Sequence, residues 1–454
     1  MPQISHIKYS DVIEAWRFDA DFFKPEYLKI DETIEKRNFN ELKTLIWKWN
    51  IFSWPFWSSL KSESYTSSWV PFIRISDIQN IFINKDNLMY ISEADSERLT
   101  STTLNVWDIV LSKIWTIWRL SLITSDLWTV NISENNIWLK LQNLSNKEKK
   151  VLLLFLLSKY WQKQIIRQWS WNIQLKFNVL DIEGLKIPNI QLFSVDKLEN
   201  FYDEILENQQ QSRQLYQEAE DLLLTELGLK DHIFSHALTF TTTKKEVDQA
   251  GRYDADYFQP KYDEIIGKIE NYKGWSISLS DKEIKDKNFF PKTWLEYKYI
   301  ALADVSSQWY IIDHKKELGE HLPTRARRLV NKWDVVVSSI EWSLSSCAII
   351  EDEYNNAVVS NGFFVLKSDK LTPETLLILI KSEFMQLLLK KNSSWTILTA
   401  VSKDGLQKLK LPLIDPQIQQ LISAKVQESF KLRNESKQLL EQAKKMVEDE
   451  IEKE

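Results

Sequence analysis

Two stretches of the chain carry apolar residues in alternating steps of three and four. In the first, Val195, Leu198, Tyr202, Ile205, Gln209, Ser212, Tyr216, Ala219 and Leu223 form one stripe. In the second, Ile422, Val426, Ser429, Arg433, Ser436, Leu440, Ala443 and Val447 do the same. This spacing keeps one face of a helix turned to a partner helix, so it predicts two long helices that pair as an antiparallel coiled coil. Gln209, Ser212, Arg433 and Ser436 put polar groups in mid-seam, which fixes register at some cost in stability. Two independent amphipathic helices, each packed on its own domain, are the alternative. Between the stripes the pattern changes. Short apolar runs such as "VPFIRISDI" (Val70 to Ile78) and "DIVLSKI" (Asp108 to Ile114) read as strands, Leu152 to Ile166 reads as a buried helix, and "LKIP" (Leu185 to Pro188) reads as a short strand.

This order occurs twice. "LLLFLLSKYWQKQIIRQWSWNIQLKFNVLDIEGLKIPNI" (Leu152 to Ile190) parallels "LLILIKSEFMQLLLKKNSSWTILTAVSKDGLQKLKLPLI" (Leu376 to Ile414) without gaps, so that Ser158 meets Ser382, Trp171 meets Trp395 and Pro188 meets Pro412. "WRFDADFFKPEY" (Trp16 to Tyr27) recurs as "GRYDADYFQPKY" (Gly251 to Tyr262), and "NVWDIVLSKIW" (Asn105 to Trp115) recurs as "NKWDVVVSSIEW" (Asn331 to Trp342) with one inserted residue. Repeats of about 225 residues are too large for solenoid units and indicate a domain duplication. The predicted architecture is α+β: a globular domain over residues 1–190, a long helix over 191–230, a second globular domain over 231–414 and a closing helix over 415–454.

Composition adds an anomaly. The chain holds 20 Trp and 8 Gly, whereas about 7% Gly, roughly 30 residues, is usual for this length. Tryptophans stand in turn contexts that call for glycine, as in "SKIWTIWRLSLI" (Ser112 to Ile123), and Trp16 falls opposite Gly251 in the repeat. These observations imply UGA codons that are written here as Trp and read as Gly in the cell, at Trp16, Trp54, Trp57, Trp69, Trp115, Trp118, Trp169 and Trp171. A Trp-rich chain with aromatic binding surfaces is the competing reading.

The net charge of −6 is unevenly spread: residues 191–230 carry 3 Lys+Arg against 9 Asp+Glu, while residues 1–190 carry 23 against 21 and 231–414 carry 25 against 25. Whole-chain charge therefore says little about a local nucleic-acid face. One cysteine, Cys347, excludes an internal disulfide and suits a reducing cytoplasm. No apolar run reaches a membrane-spanning length, and "MPQISHIKYSDVIEAW" lacks a signal-peptide pattern, so a cytoplasmic location and no membrane partner are expected. His232 and His236 have helical i,i+4 spacing without a convincing third ligand, and the repeated "DAD" carboxylates (Asp19, Asp21, Asp254, Asp256) suit capping better than metal. No phosphate-loop pattern and no Asn/Asp-Pro-Pro-aromatic motif occurs. No metal, cofactor or catalytic set is expected.

With these residues in view the chain resembles the specificity subunits of type I restriction–modification systems. The resemblance runs over essentially the whole chain and is carried by "FSWPFWSSL…YTSSWVPFIRISDI", "DIVLSKIWTIWRLSLI", "WSWNIQLKFNVLDIEGLKIP" and their second-half counterparts, each copy closed by a long helix. The family's Gly-x-x-Gly-Arg/Lys turn corresponds here to Trp115, Thr116, Ile117, Trp118 and Arg119. The resemblance implies two target recognition domains that read a split, asymmetric site on double-stranded DNA, with helices that space them and dock DNA methyltransferase (modification) subunits and a restriction translocase subunit. It implies a non-catalytic subunit. A fused methyltransferase and a protein-binding coiled-coil scaffold are the alternatives. Phosphate contacts need Lys, Arg, Ser or Thr near tight turns. The candidates are Arg74, Lys113, Thr116 and Arg119 in the first half, and Arg325, Arg327, Arg328, Ser339, Lys390 and Lys391 in the second.

Overall fold

The structure, a computed structural model, describes residues 4–53, 60, 62–85, 88–113, 119–168, 178–234, 236–280, 282–306, 308–393 and 400–453. It is α+β, with two compact units. The first comprises Met1–Gln210 with Leu432–Glu454, and the second Gln211–Lys431. Each long helix is thus divided between the units, whereas the sequence boundaries set the helices apart.

In the first unit, helices α1 (Tyr9–Ala15) and α2 (Pro25–Glu35) precede strands β1 (Ile51–Ser53), β2 (Val70–Ile73), β3 (Met89–Ile91), β4 (Thr103–Asn105), β5 (Ile109–Ser112), β6 (Leu120–Leu122), β7 (Thr129–Ile132) and β8 (Asn136–Leu139). Helices α3 (Asn146–Leu156), α4 (Lys159–Gln168) and the long α5 (Val195–Glu226) follow. The strands form two four-stranded sheets, ordered β1-β8-β5-β6 and β3-β2-β7-β4, with β2 and β7 parallel. Strand β5 is buried on both faces. Ile109 and Leu111 share a core with α3, and Val110 lies in a second core with its cross-strand neighbour Trp138 and with Val130 and Ile132 of the other sheet. This is why "DIVLS" reads as an unbroken apolar run rather than an alternating one.

The second unit repeats the plan. Helices α6 (Lys244–Ala250) and α7 (Pro260–Asn271) precede β9 (Ile284–Lys285), β10 (Glu296–Ile300), β11 (Lys315–Leu318), β12 (Ala326–Leu329), β13 (Val335–Ser338), β14 (Cys347–Ile349), β15 (Val358–Ser360) and β16 (Phe363–Leu366). Helices α8 (Pro373–Lys381), α9 (Glu383–Lys391) and the long α10 (Pro416–Glu452) complete it. The sheet orders are β9-β16-β13-β14 and β11-β10-β15-β12, with β10 and β15 parallel. Strand for strand this is the topology of the first unit. Val335 and Val337 pack with the helices while Val336 faces the second sheet. Cys347 is fully buried on β14, its Sγ lies 3.1 Å from the Leu344 carbonyl, and burial pushes its thiol up to about 11.

The helical segment expected over Leu152 to Ile166 is two helices. The Ser158 hydroxyl donates to the Phe155 carbonyl at 2.6 Å, and Gln162 Nε2 donates to the Leu156 carbonyl at 2.9 Å, which satisfies the last carbonyls of α3 and lets the chain turn. Ser382 and Gln386 repeat both bonds onto Leu379 and Ile380 at 2.6 and 2.8 Å. The serines matched by the repeat therefore do the same task. The two "LKIP/LKLP" strands also pair alike, Lys186–Pro188 with Phe39–Glu41 and Leu411–Pro412 with Ser276–Ile277.

The apolar stripes of the long helices are buried. In the first unit Leu198, Tyr202 and Ile205 share one core with Ala443, Val447 and Ile451, and Gln209 Nε2 donates to Ser436 Oγ at 2.9 Å. In the second, Tyr216, Ala219 and Leu223 share a core with Ile422, Val426 and Phe430. There Ser212 and Ser429 exchange hydroxyl-to-carbonyl bonds of 2.8 and 2.7 Å. Among the described residues no helix is long and apolar enough to cross a membrane.

Backbone angles bear on the tryptophan anomaly. Trp16 ends α1 at φ 50° and ψ 36°, and Gly251 ends α6 at φ 62° and ψ 24°. Both are left-handed helix caps, the position where glycine is favoured. Trp69 has φ 102°. Trp54, Trp57, Trp115, Trp118, Trp169 and Trp171 lie outside the described residues.

Candidate nucleic-acid interface

In the first unit the candidate residues are held by local structure. Arg74 grips Asp77 through Nε at 3.0 Å and Nη2 at 2.9 Å, and this bond raises the guanidinium's pKa above its ordinary value. The same carboxylate accepts the Arg74 backbone N–H at 2.8 Å and so caps the short turn at Ile75–Asp77. Lys113 is buried, with Nζ donating to Ser53 Oγ at 2.7 Å and its backbone N–H to the Asn135 carbonyl at 3.0 Å. Arg119 closes the β5–β6 hairpin, its carbonyl accepting from Ser112 N–H at 3.0 Å. Thr116 lies outside the described residues.

In the second unit three arginines fall on or beside β12. The Arg325 carbonyl accepts from Asn361 N–H at 2.8 Å, and its side chain is exposed. Arg327 Nε donates to the Thr324 carbonyl at 2.9 Å, and its guanidinium lies 5.2 Å above the Phe290 ring. Arg328 Nη1 donates to Asn288 Oδ1 at 2.6 Å, and burial lowers its pKa. Ser339 donates to the Gly362 carbonyl through both N–H and Oγ, at 2.8 and 2.9 Å. Arg325 and Ser339 thus brace two sides of the Asn361–Gly362 turn. By topology Ser339 is the counterpart of Lys113, since each follows the central strand and its N–H bonds the turn just before the last strand, at Asn135 before β8 and Gly362 before β16.

Arg328 opens onto a cavity of about 570 Å³ that Lys282, Lys285, Lys287 and Phe289 also line. Lys285 is bonded to Asp334 at 2.7 Å. Sequence reasoning passed over these lysines, although their recurrence through "DKEIKDKNF" (Asp281 to Phe289) was the available signal. If the cavity binds backbone phosphate, K287A and R328A will weaken binding by similar factors on all duplexes. Each should also flatten the dependence of log K on log salt by about 0.9. Titration at several salt concentrations measures this, and a loss confined to one DNA sequence would contradict it.

Lys390 and Lys391 lie at a separate place, a cavity of about 360 Å³ with Arg252, Asp254 and Tyr257. Lys391 Nζ sits 5.0 and 5.1 Å from the ring centres of Tyr257 and Tyr262, and burial lowers its pKa. The duplicated motif explains the setting. Arg252 pairs with Asp254 at 2.8 Å and donates to the carbonyls of Lys391 and Ser393 at 3.2 and 2.8 Å. Asp254 in turn accepts from Tyr257 N–H at 3.1 Å. Arg17 pairs with Asp19 at 2.8 Å and donates to the Gln168 carbonyl at 3.3 Å, while Asp19 accepts from Phe22 N–H at 2.9 Å. The first aspartate of each "DAD" is thus a turn cap, and the arginine neutralises the C-terminal carbonyls of α4 or α9. His232 Nε2 lies 2.8 Å from Glu264, and His236 faces Gln259 at 3.2 Å. Among the described residues no group of three or more His, Cys, Asp or Glu could hold a metal ion.

No family model matches the chain, and no curated protein matches it. Solved structures of type I restriction–modification S subunits do match over most of its length. The S subunit from M. genitalium is 13% identical, with 92% of this chain and 96% of that one covered and a TM-score of 0.34. The HsdS subunit from Thermoanaerobacter tengcongensis is also 13% identical, with 85% and 91% covered and a TM-score of 0.25. A chain from a structure of complex assembly and conformational transition in the type I R-M system is 14% identical, with 91% and 97% covered and a TM-score of 0.28.

Proposed function

We propose that the chain is the DNA-reading subunit of a type I restriction–modification assembly. Each unit reads one half of a split, asymmetric duplex site. The long helices pair as an antiparallel coiled coil, set the gap between the half-sites and dock DNA methyltransferase and restriction translocase subunits. The chain itself does no catalysis. The observation that carries this reading is one strand in two versions. Strand β4 and its approach read "STTLN" (Ser101 to Asn105), and the topologically equivalent stretch at the end of β12 reads "RRLVN" (Arg327 to Asn331). The same scaffold thus carries the exposed Ser101 and the buried Thr102 in one unit where the other carries the guanidiniums of Arg327 and Arg328, which suits two different sequences.

The purified chain should bind duplex DNA, tighten and gain sequence preference when a modification partner is added, and neither transfer methyl groups nor hydrolyse ATP alone. Gel-shift titration and S-adenosylmethionine turnover assays test this. Methyl transfer by the isolated chain would refute the non-catalytic role, and absence of DNA binding with the partner present would refute the reading role.

A further inference from the structure

Among the described residues ten non-glycine positions have positive φ, and seven of them are tryptophan, in a chain where Trp is 20 of 454 residues. Positive φ is uncommon for any residue with a Cβ, and for a bulky one it is an outlier. The indole has no local hydrogen bond to offer the backbone, as Asn or Asp would. Five of the seven, Trp47, Trp107, Trp128, Trp309 and Trp333, stand at positions that composition and turn contexts did not single out.

Trp107 and Trp333 make the strongest case, because they occupy the same place in the two units. Asp108 N–H donates to the Asn105 carbonyl at 3.1 Å, and Asp334 N–H to the Asn331 carbonyl at 3.0 Å. Each tryptophan is therefore the third residue of a four-residue turn, at φ 74° and 70°. A type II turn demands glycine there. The turns cannot relax. The Trp107 and Trp333 N–H groups donate to the Ile123 and Ile350 carbonyls at 2.8 and 2.9 Å, and the Asp108 and Asp334 carboxylates cap the backbone N–H of Asn105 and Asn331 at 3.0 and 2.8 Å. Trp47, at φ 57° and ψ 134°, and Trp309, at φ 114°, lie outside even the left-handed helical well that Asn tolerates. Trp309 is buried face to face on Tyr216 at 3.7 Å, with no acceptor for its indole N–H among the described residues. Trp128 is at φ 53° with its ring in solvent.

We infer that in the protein its own cell makes, glycine stands at the positions written Trp47, Trp107, Trp128, Trp309 and Trp333, and that backbone angle sorts recoded positions from true tryptophans. By that criterion Trp161 is a true tryptophan. It lies inside α4, fully buried among Phe155, Tyr160 and Ile165, and Met385 is its repeat counterpart. Its indole N–H also has no acceptor among the described residues, so the sorting rests on the backbone and not on the ring.

Peptide mass spectrometry of the chain isolated from cells carrying its gene reads these positions directly. Glycine at Trp107 and Trp333 with tryptophan at Trp161 is the expected result. Tryptophan at either turn overturns the inference, and glycine at Trp161 overturns the sorting rule. A second measurement uses the chain as written, produced under the standard code. W107G and W333G should each raise Tm, by about 2–4 °C, because glycine removes the strain. W161G should lower it by opening a cavity in the core. A fall in Tm for both turn variants would overturn the inference independently of the DNA-reading proposal.

Discussion

Replacing the segment from Ile30 to Leu185 with the matching segment of a homologue of different specificity should change one half of the recognised DNA site completely and leave the other half intact. The first unit carries its own core, in which the strands around Ile109 and Leu111, the helix around Leu153 and the stripe of Leu198, Tyr202 and Ile205 form one cluster. The second unit closes its own cluster around Val335, Leu377 and Leu223. A graft that keeps its contacts to α5 can fold without asking anything of the second unit's strands. The most demanding contact is Lys150, whose ammonium is buried and bonded to Glu199 at 3.0 Å and Asp203 at 2.8 Å. A donor without a cation there leaves the partly buried Glu199 carboxylate with Lys147 alone at 3.0 Å, while the exposed Asp203 turns to water. Sequencing the methylated sites in cells that carry the graft with modification partners gives the answer. If both half-sites changed together, the units would not be independent readers.

Adding seven residues to α5 should lengthen the gap between the half-sites while the bases read at each stay the same. A heptad adds about 10 Å of helix and returns the stripe to the same face. Against a rise of about 3.4 Å per base pair, this permits a gap longer by one to about three base pairs. The smaller value is expected, because α10 is unchanged and part of the insert can bow outward. Two or three added residues should instead turn Leu198, Tyr202 and Ile205, all at most 2% exposed, away from their core. At about 100° per residue this removes three large side chains from burial worth roughly 1.5–3 kcal/mol each, enough to abolish folding. The same methylation readout applies, with circular dichroism to score folding. An active heptad variant with an unchanged gap would show that the helices do not set it.

Much of this architecture was legible in the sequence because duplication compares the chain with itself. Ser158 and Ser382 were paired by position before their bonds to Phe155 and Leu379 gave that pairing a cause. The stripes of the long helices were equally plain, since three-four spacing survives any context. The division of Leu152–Ile166 into two helices was not legible, because the apolar run continues through the break and the stop is made by hydroxyl and amide side chains. The two-sheet topology was hidden for a different reason. Most of its strands span three or four residues, and in the fully buried ones such as Ile109–Ser112 a second apolar face erases the period-two signal. The phosphate candidates follow from charge near turns. That rule finds Arg325 on the surface, but it cannot tell that Lys113 turns inward to Ser53 or that Arg74 is committed to Asp77.

The buried Cys347 has a practical consequence. As the chain's one thiol, closed off at the centre of the second unit, it makes the native protein silent to alkylating and disulfide-exchanging reagents. Its labelling rate is then a clock for opening of that unit and reports nothing of the first. Set beside the rate at which the whole chain loses its helical signal, this clock tells whether the unit opens alone or only in global unfolding, with no substitution introduced. The same silence gives a clean background for a probe on any cysteine placed at the surface.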